Sequence, residues 1–421
     1  MTMTDASSSL WSHVPSAPPD SILGIANLYR KDPEKKKLNL SVGAYRDDNG
    51  NPCILRVVRK VEQEPAPDHE YIPMAGISLF CQAAAKLILG ENASSIAEKR
   101  VVTVQSLSGT GALRVGAEFL YRFYHPNPAN TEKPRVYIPR PSWGNHRKVF
   151  ESAGLKVSEY TYFDPVTCDV DAKGLLEDLK NNVPSYSVIV LHACAHNPTG
   201  ADPSEELWKE ILQVVLQKQL LVFFDSAYQG FASGDLEKDA FAVRLFEQSG
   251  IEMLVAQSFA KNMGLYGERV GALSFICKDT CPVDAVQSQL ETIIRSMYSS
   301  PPANGARIAC RILNDPQLFQ EWKQELVEMS ARIQNMRKLL YEALVSRKTP
   351  GDWSHITKQI GMFSFTGLNA KQVRYLREKH HIYMTEDGRA SMAGLSRETV
   401  PMFADAIHDA VTNGDLRSSS L

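Results

Sequence analysis

In the stretch QSFAKNMGLYGERVG, Lys261 comes shortly after the apolar run 251–256, where a buried strand should hand over to the next element. An ammonium at such a strand end loses hydration, and a neighbouring cation such as Arg269 disfavours its charge further. Both effects lower its pKa and turn it into a nucleophilic amine able to form an imine with a carbonyl compound. Asp225 has the opposite need. It directly follows Leu221, Val222, Phe223 and Phe224, and an unpaired carboxylate in such surroundings costs on the order of several kcal/mol. It requires a cation. The two side chains could simply satisfy each other, but that would leave a glycine-rich loop, the Trp143 ring and two arginine-bearing turns without a use.

The glycine-rich loop is SGTGAL, with Ser108, Gly109 and Thr110 leading into a helical pattern. Glycine lets backbone N–H groups converge and a following helix offers its positive end, so the loop suits a phosphate; Ser108 could equally be a plain N-cap. It lacks the G-K-[ST] of a Walker loop, and Gly109, Gly111 and Gly116 miss the spacing of dinucleotide-binding folds, which leaves an ATP or NAD reading weak. In HACAH, His192, Cys194 and His196 alternate and would share one face of an extended strand. Three ligands at that spacing cannot easily wrap a tetrahedral ion, so packing and support of neighbouring groups are expected rather than zinc. His380 and His381 read as a solvated helix end.

These residues need a frame that gathers them. The chain has 421 residues, more than one hydrophobic core usually serves, so one large and one smaller domain are expected. Its 46 Lys and Arg against 48 Asp and Glu give a formal net charge of -2, with no long run of like charges. That pattern offers no electrostatic footprint for nucleic acid or an anionic membrane and points to a small-molecule partner. Seven cysteines without a C-x-x-C pair, together with the lack of a leader-like or membrane-spanning apolar stretch, suggest a reducing, cytoplasmic setting. Residues 101–104, 136–138, 188–191, 220–224 and 253–255 are short, β-rich and apolar on both faces, while 111–123, 143–153, 172–181 and 205–218 carry helical periodicity. Alternation of the two predicts an α/β fold with a mostly parallel sheet covered by helices on both faces. From Pro316 the pattern changes to one long amphipathic helix or a kinked pair over 318–346. An apolar segment at 361–366, a helix at 371–380, a strand at 382–384 and a terminal helix at 401–413 suit a small α+β domain.

Open α/β sheets bind ligands beyond the carboxyl ends of their strands. Here those ends run into SLSGTGALRVG, PRPSWGNH, HACAHNPTG, FFDSAYQG and the stretch with Ser258 and Lys261, so all deliver polar side chains to one rim. One cofactor uses them together: pyridoxal 5'-phosphate, whose aldehyde takes a lysine, whose pyridine nitrogen wants a carboxylate, and whose phosphate wants a Gly/Ser/Thr loop plus a cation.

The motifs SFAKNMGLYGERVGAL, HACAHNPTG, FFDSAYQGF, PSWGNH, NLSVGAYRDDNGNP, PPANGARI and GMFSFTGLN together resemble the aspartate aminotransferase family, the fold-type I pyridoxal-phosphate transaminases, in the same order and over nearly the whole chain. The resemblance implies a large domain with a mostly parallel seven-stranded sheet plus a smaller α+β domain. It divides the chain into an arm to a partner subunit (1–14), the small domain (15–48 and 326–421) and the large cofactor-binding domain (49–325). It implies that Lys261 holds the cofactor as an imine and moves a proton during catalysis. Asp225 would pair with the pyridinium, Asn197 and Tyr228 would face the phenolic oxygen, and Trp143 would stack on the ring. Ser108, Gly109, Thr110, Ser258 and Arg269 would hold the phosphate with Tyr71 of a partner, while His146 and His192 stand behind Asp225. Arg389 would clamp the substrate α-carboxylate beside Gly43, and Arg295, from the other subunit, the distal one. Two guanidinium forks at a fixed separation select a dicarboxylate. The implied activity is ping-pong transamination between aspartate and 2-oxoglutarate by a homodimer with shared active sites. Tyr298 stands where the family pattern has an indole, Ser300 where it has an amide and Arg56 where it often has proline; changes near Arg295 could admit aromatic amino acids. The alternatives are another pyridoxal-phosphate reaction, such as decarboxylation or β-elimination, or a catalytically degenerate scaffold.

Overall fold

A computed structural model describes residues 9–18, 22–47, 50–65, 68–126 and 133–413. Most of the expected arm, residues 1–8, lies outside the described residues. Seven strands form the central sheet: β1 (Val101–Leu107), β2 (Val136–Arg140), β3 (Val157–Thr161), β4 (Val188–His192), β5 (Leu221–Ser226), β6 (Met253–Ser258) and β7 (Val270–Ile276). Their spatial order is β1-β7-β6-β5-β4-β2-β3. β7 runs antiparallel to both its neighbours, while β2 to β6 pair in parallel. β4 is buried at all five positions, which is why it reads as an uninterrupted apolar run rather than an alternation. Successive side chains nonetheless point to opposite faces: Ile189, Leu191, Val222 and Phe224 join one core, Val188, Val190 and Phe223 the other.

Two strands escaped the hydrophobicity reading. β7, VGALSFI, is buried throughout, but it follows the lysine motif so closely that it reads as that motif's tail. β3, VSEYT, is an edge strand with mixed exposure and so carries little apolar signal.

Before the sheet comes α1 (Leu23–Lys31); around it lie α2 (Ser108–Phe123), α3 (His146–Ser152), α4 (Ala172–Asn181), α5 (Glu205–Lys218) and α6 (Val283–Met297). α4 and α5 span the ranges their periodicity predicts, each held at its start by a side chain, Asp171 accepting from Gly174 N and Ser204 from Leu207 N. Trp143 does not start a helix as expected; it sits in the turn ahead of α3, whose N-cap is Asn145.

α7 (Pro316–Ser346) is one continuous helix of 31 residues, not a kinked pair, with Asp315 capping it and Pro316 at its first turn, where a missing N–H is harmless. Beyond it come α8 (Ala370–His380) and α9 (Thr399–Thr412). Leu38–Asn39 pairs in parallel with Ile382–Tyr383, so the beginning and the end of the chain meet in one small sheet. On that pairing we propose the division into residues 15–48 with 326–421 against 49–325, the boundary falling within α7. His380 and His381 are not merely solvated: their ring nitrogens bond Asp409 and Asp32.

Gly271 in β7 shows how tightly the sheet is pressed on the loop that follows β1. A Cβ placed there would lie 2.5 Å from the Ser108 carbonyl carbon and 2.5 Å from Gln257 O, both backbone atoms that cannot swing aside. Gly271→Ala is therefore expected to destabilise the fold by about 1–3 kcal/mol, seen as a lowered melting temperature in calorimetry. An unchanged melting temperature would show that the loop has room the structure does not give it.

Candidate active site

The carboxyl ends of β1, β4, β5 and β6 open into a cavity of about 480 Å³. Of the fourteen residues that the resemblance puts in contact with cofactor or substrate, twelve line it: Gly43, Ser108, Gly109, Thr110, Trp143 and Asn197, with Asp225, Tyr228, Ser258, Lys261, Arg269 and Arg389.

Lys261 stands in the turn after β6. Its Nζ makes no ion pair among the described residues and lies 5.1 Å from the centroid of the Tyr266 ring. Burial pushes its pKa down to about 8 and Arg269 pushes the same way, with Asp225 opposing. Asp225 is not its partner. The Asp225 Oδ2 accepts from His146 Nε2 at 2.9 Å, and His146 Nδ1 lies 2.8 Å from Ser142 Oγ. Burial favours the neutral acid, but the His146 hydrogen bond and the nearby cationic groups outweigh it and hold the Asp225 pKa below the usual 3.8. The cavity thus contains a fixed anion and, apart from it, an amine that loses its proton more readily than an exposed lysine.

Ser108 is not an ordinary N-cap. It is the first residue of α2, with φ +60°, and the helix has no side-chain cap. Its backbone N–H donates to Arg269 O at 3.1 Å, and its hydroxyl sits 2.9 Å from that of Ser258. The N–H groups of the first turn of α2 are left without a side-chain acceptor, the arrangement that binds anions. Gly109 keeps this corner open, since a Cβ there would come within 3.2 Å of Ser258 Cβ. Arg269 is itself left-handed, φ +55°, and its Nη1 is anchored on Tyr266 O at 3.0 Å.

Arg389 starts a short strand, Arg389–Ser391, paired with Phe363–Phe365. It is 4% exposed. Its Nη1 donates to Asn197 Oδ1 at 3.2 Å and its Nη2 to Ser41 O at 2.9 Å, while the guanidinium lies 4.1 Å from the centroid of the Phe363 ring. Its buried Nε has no partner, and no carboxylate pairs with it among the described residues. Burial pulls its pKa below the usual arginine value. A buried cation held only by neutral groups is costly until an anion reaches it.

The remaining motif residues pack and hydrogen-bond within the chain. His196 stacks on Tyr162 at 3.9 Å and bonds Thr199; His192 accepts from Asn197 N; burial raises the Cys194 thiol. Among the described residues no group of three His, Cys, Asp or Glu side chains could hold a metal ion. Tyr71, 87% exposed, and Arg295, exposed and with its side chain bonded to Ser299, lie outside the cavity of this chain. The sequence reading passed over Tyr266, although it lies in the lysine motif: its hydroxyl accepts from Tyr45 N at 2.9 Å and burial raises its pKa to about 12. Phe363, under Arg389, was likewise seen only as part of an apolar segment and of the motif GMFSFTGLN.

The sequence profile of the family "Aminotransferase class I and II" matches residues 35–407. The chain belongs to that family. A relative from rice, "Aspartate aminotransferase, cytoplasmic", is 55% identical over 411 residues, covering 97% of this chain and 99% of its own. "Aspartate aminotransferase 3, chloroplastic" from Arabidopsis thaliana is 55% identical over 408 residues, covering 96% and 89%. Among solved structures, the aromatic-amino-acid aminotransferase of Burkholderia pseudomallei, covalently bound to pyridoxal phosphate, superposes with a TM-score of 0.91 at 41% identity, covering 96% of this chain and all of that one.

The Lys261 pKa has a consequence for the cofactor-free protein. A lysine depressed from 10.5 to about 8 destabilises the fold fully below pH 8, because the unfolded chain binds that proton more readily, and the penalty fades as pH rises towards 10.5. Lys261→Met should therefore raise the melting temperature of the apoprotein at pH 7 and do so much less at pH 10; equal gains at both would contradict the burial of the amine.

Proposed function

We propose that this aminotransferase interchanges L-aspartate and 2-oxoglutarate with oxaloacetate and L-glutamate, in two half-reactions sharing one site. The observation that carries the reading is the buried Arg389 without a counter-anion, in the same cavity as an unpaired Lys261 and an ionised Asp225. The cavity residues also fit pyridoxal 5'-phosphate. Lys261 would hold its aldehyde carbon and Asp225 its pyridine nitrogen, with Asn197 and Tyr228 at the phenolic oxygen and Trp143 on the ring face. The uncapped start of α2, with Ser108, Gly109, Thr110, Ser258 and Arg269, would take the phosphate. When bound, the cofactor supplies an electron sink for the carbanion left by removal of the α-proton, and a carbon that accepts the amino group.

The work of the chain follows from its charges. Arg389 takes the α-carboxylate of the incoming amino acid and so places its α-carbon above Lys261. Lys261 Nζ, whose pKa of about 8 lets it give up its proton far more readily than an exposed lysine, takes the α-proton and returns it one position along, which needs a base whose pKa lies near the working pH. Asp225, held ionised by His146, keeps a negative charge where a protonated ring nitrogen has to sit. Arg295 and Tyr71 are too exposed to act in their own cavity; we propose that each serves the site of a second copy, so that the working unit is a homodimer with the partner subunit's Arg295 facing the distal carboxylate. The exposed Leu10 and Trp11 in the segment just before residue 15 suit the expected embrace of a partner. We place the protein in the cytoplasm on its seven unpaired cysteines and the name of the rice relative; the Arabidopsis relative is named for the chloroplast. Among the described residues no helix is long and apolar enough to cross a membrane. The aromatic-amino-acid aminotransferase likeness favours aromatic amino acids as secondary donors.

Incubation with aspartate, 2-oxoglutarate and pyridoxal phosphate should yield equal amounts of glutamate and oxaloacetate; carbon dioxide or free ammonia without glutamate would assign the site to a decarboxylase or lyase instead. Arg389→Leu should lower kcat/KM for both substrates by about 10²–10⁴-fold, the cost of losing a buried charged contact. Arg295→Asp should lower kcat/KM for aspartate by orders of magnitude while sparing phenylalanine. Equal losses for the two donors would remove Arg295 from the distal-carboxylate role.

A further inference from the structure

Lys261 and Tyr228 are each followed by an amide side chain that should not, on packing grounds, be where it is. Asn262 and Gln229 are both 2% exposed, inside an otherwise apolar core. Asn262 Nδ2 donates to the Gln229 carbonyl at 3.1 Å, so the residue after the lysine is tied to the residue after the tyrosine. Gln229 Nε2 is in turn fixed on Leu87 O at 2.8 Å and Leu236 O at 3.1 Å. The Asn262 carbonyl also points inward, and it accepts from the indole N–H of Trp322 at 2.7 Å. Trp322 is fully buried and stands near the start of α7. The price of the arrangement is visible: Asn262 Oδ1 is buried without a hydrogen-bond partner. A leucine or methionine would fill this space without leaving an oxygen unsatisfied, and such a local loss is retained where it fixes the geometry of a site.

The geometry of the two turns shows what is being fixed. The lysine turn is closed by weak backbone bonds, Met263 N to Phe259 O and Gly264 N to Lys261 O, both 3.3 Å. The tyrosine turn is closed on Tyr228 O by Phe231 N and Ala232 N. Neither set ties one turn to the other, while the Asn262 bond does. The same helix that supplies Trp322 also supplies Arg337, whose Nη2 holds Gly361 O at 2.9 Å, next to the strand whose Phe363 underlies Arg389. α7 thus reaches the strand beneath Arg389 through Arg337, a contact separate from the one Trp322 makes with Asn262.

We propose that Asn262, with Gln229 and Trp322, is a positioning residue for the Lys261 amine and the Tyr228 hydroxyl: the buried bonds lock the two turns together and to α7, and so set the distance and angle between the two reactive groups. The proposal rests on the reading that Lys261 and Tyr228 face the cofactor. It separates a positioning role from a structural one, because Arg389 and its contacts are untouched by it. Loss of the lock leaves substrate carboxylate binding intact and degrades proton transfer alone.

The test compares Asn262→Ala and Trp322→Phe with the wild-type protein, each loaded with pyridoxal phosphate. The visible absorption band is titrated against pH, and kcat, KM for aspartate and Kd for maleate, a non-reacting dicarboxylate, are measured. In both variants the titration midpoint should move by about half a pH unit or more, and kcat should fall about tenfold while KM and the maleate Kd stay within about twofold. Asn262→Ala removes one unsatisfied oxygen but frees the Gln229 carbonyl, so its melting temperature is measured alongside and the kinetic comparison is made well below it; if Trp322→Phe fails to fold, Asn262→Ala decides alone. An unchanged midpoint and kcat in Asn262→Ala would overturn the proposal, as would a parallel loss of maleate binding, which signals general loosening. A wild-type protein with no titrating band would instead bring down the assignment of the site, and this inference with it.

Discussion

Everything at this site depends on keeping ionisable groups apart inside a desolvated cavity. Lys261, Asp225 and Arg389 share one space, and the simplest way to lower its energy would be to let the carboxylate pair with one of the cations. The fold prevents that. Asp225 is committed to His146, which Ser142 backs in turn, and Arg389 is committed to the neutral oxygens of Asn197 and Ser41 and the face of Phe363. A buried charge left without its partner costs about 3–5 kcal/mol. Such a cost is sustained by a core elsewhere; in the reading proposed above it is recovered when an anionic ligand binds.

The scaffold that sustains it is the sheet. Parallel β2 to β6 end on the same side, so residues far apart in sequence meet at one rim. β7 closes the other half by running antiparallel between β1 and β6, and its lack of a side chain at Gly271 lets the Ser108 turn press against it. That close approach puts Arg269, immediately before β7, against Ser108, and gives both residues left-handed backbone conformations that only firm packing sustains. A helix start, two hydroxyls and a guanidinium are thereby gathered at one corner of the cavity, the corner proposed above for a phosphate.

Much of this was legible in the sequence, for physical reasons. Strands buried on both faces, such as VIVLH at β4, announce themselves as apolar runs, and the polar residues that interrupt them at their ends are the ones that matter. Asp225 and Lys261 stand out because ionisable side chains beside such runs require an explanation. β3 was not legible because an edge strand has one exposed side, and β7 because the catalytic motif runs straight into it. The partner of Asp225 could be named only from the resemblance, since no local pattern links His146 to a residue in another strand. Tyr266, Phe363 and the Asn262–Trp322 contact were invisible for the same reason: each acts through residues distant in the chain.

The central claim is that the unpaired amine of Lys261 is the group to which the cofactor becomes attached. Borohydride reduction of the protein loaded with pyridoxal 5'-phosphate, followed by peptide mapping, tests it directly. The account predicts a single stoichiometric label on Lys261, in the peptide that contains SFAKNMGLYGER. A label spread over exposed lysines, with residue 261 unmodified, would contradict it.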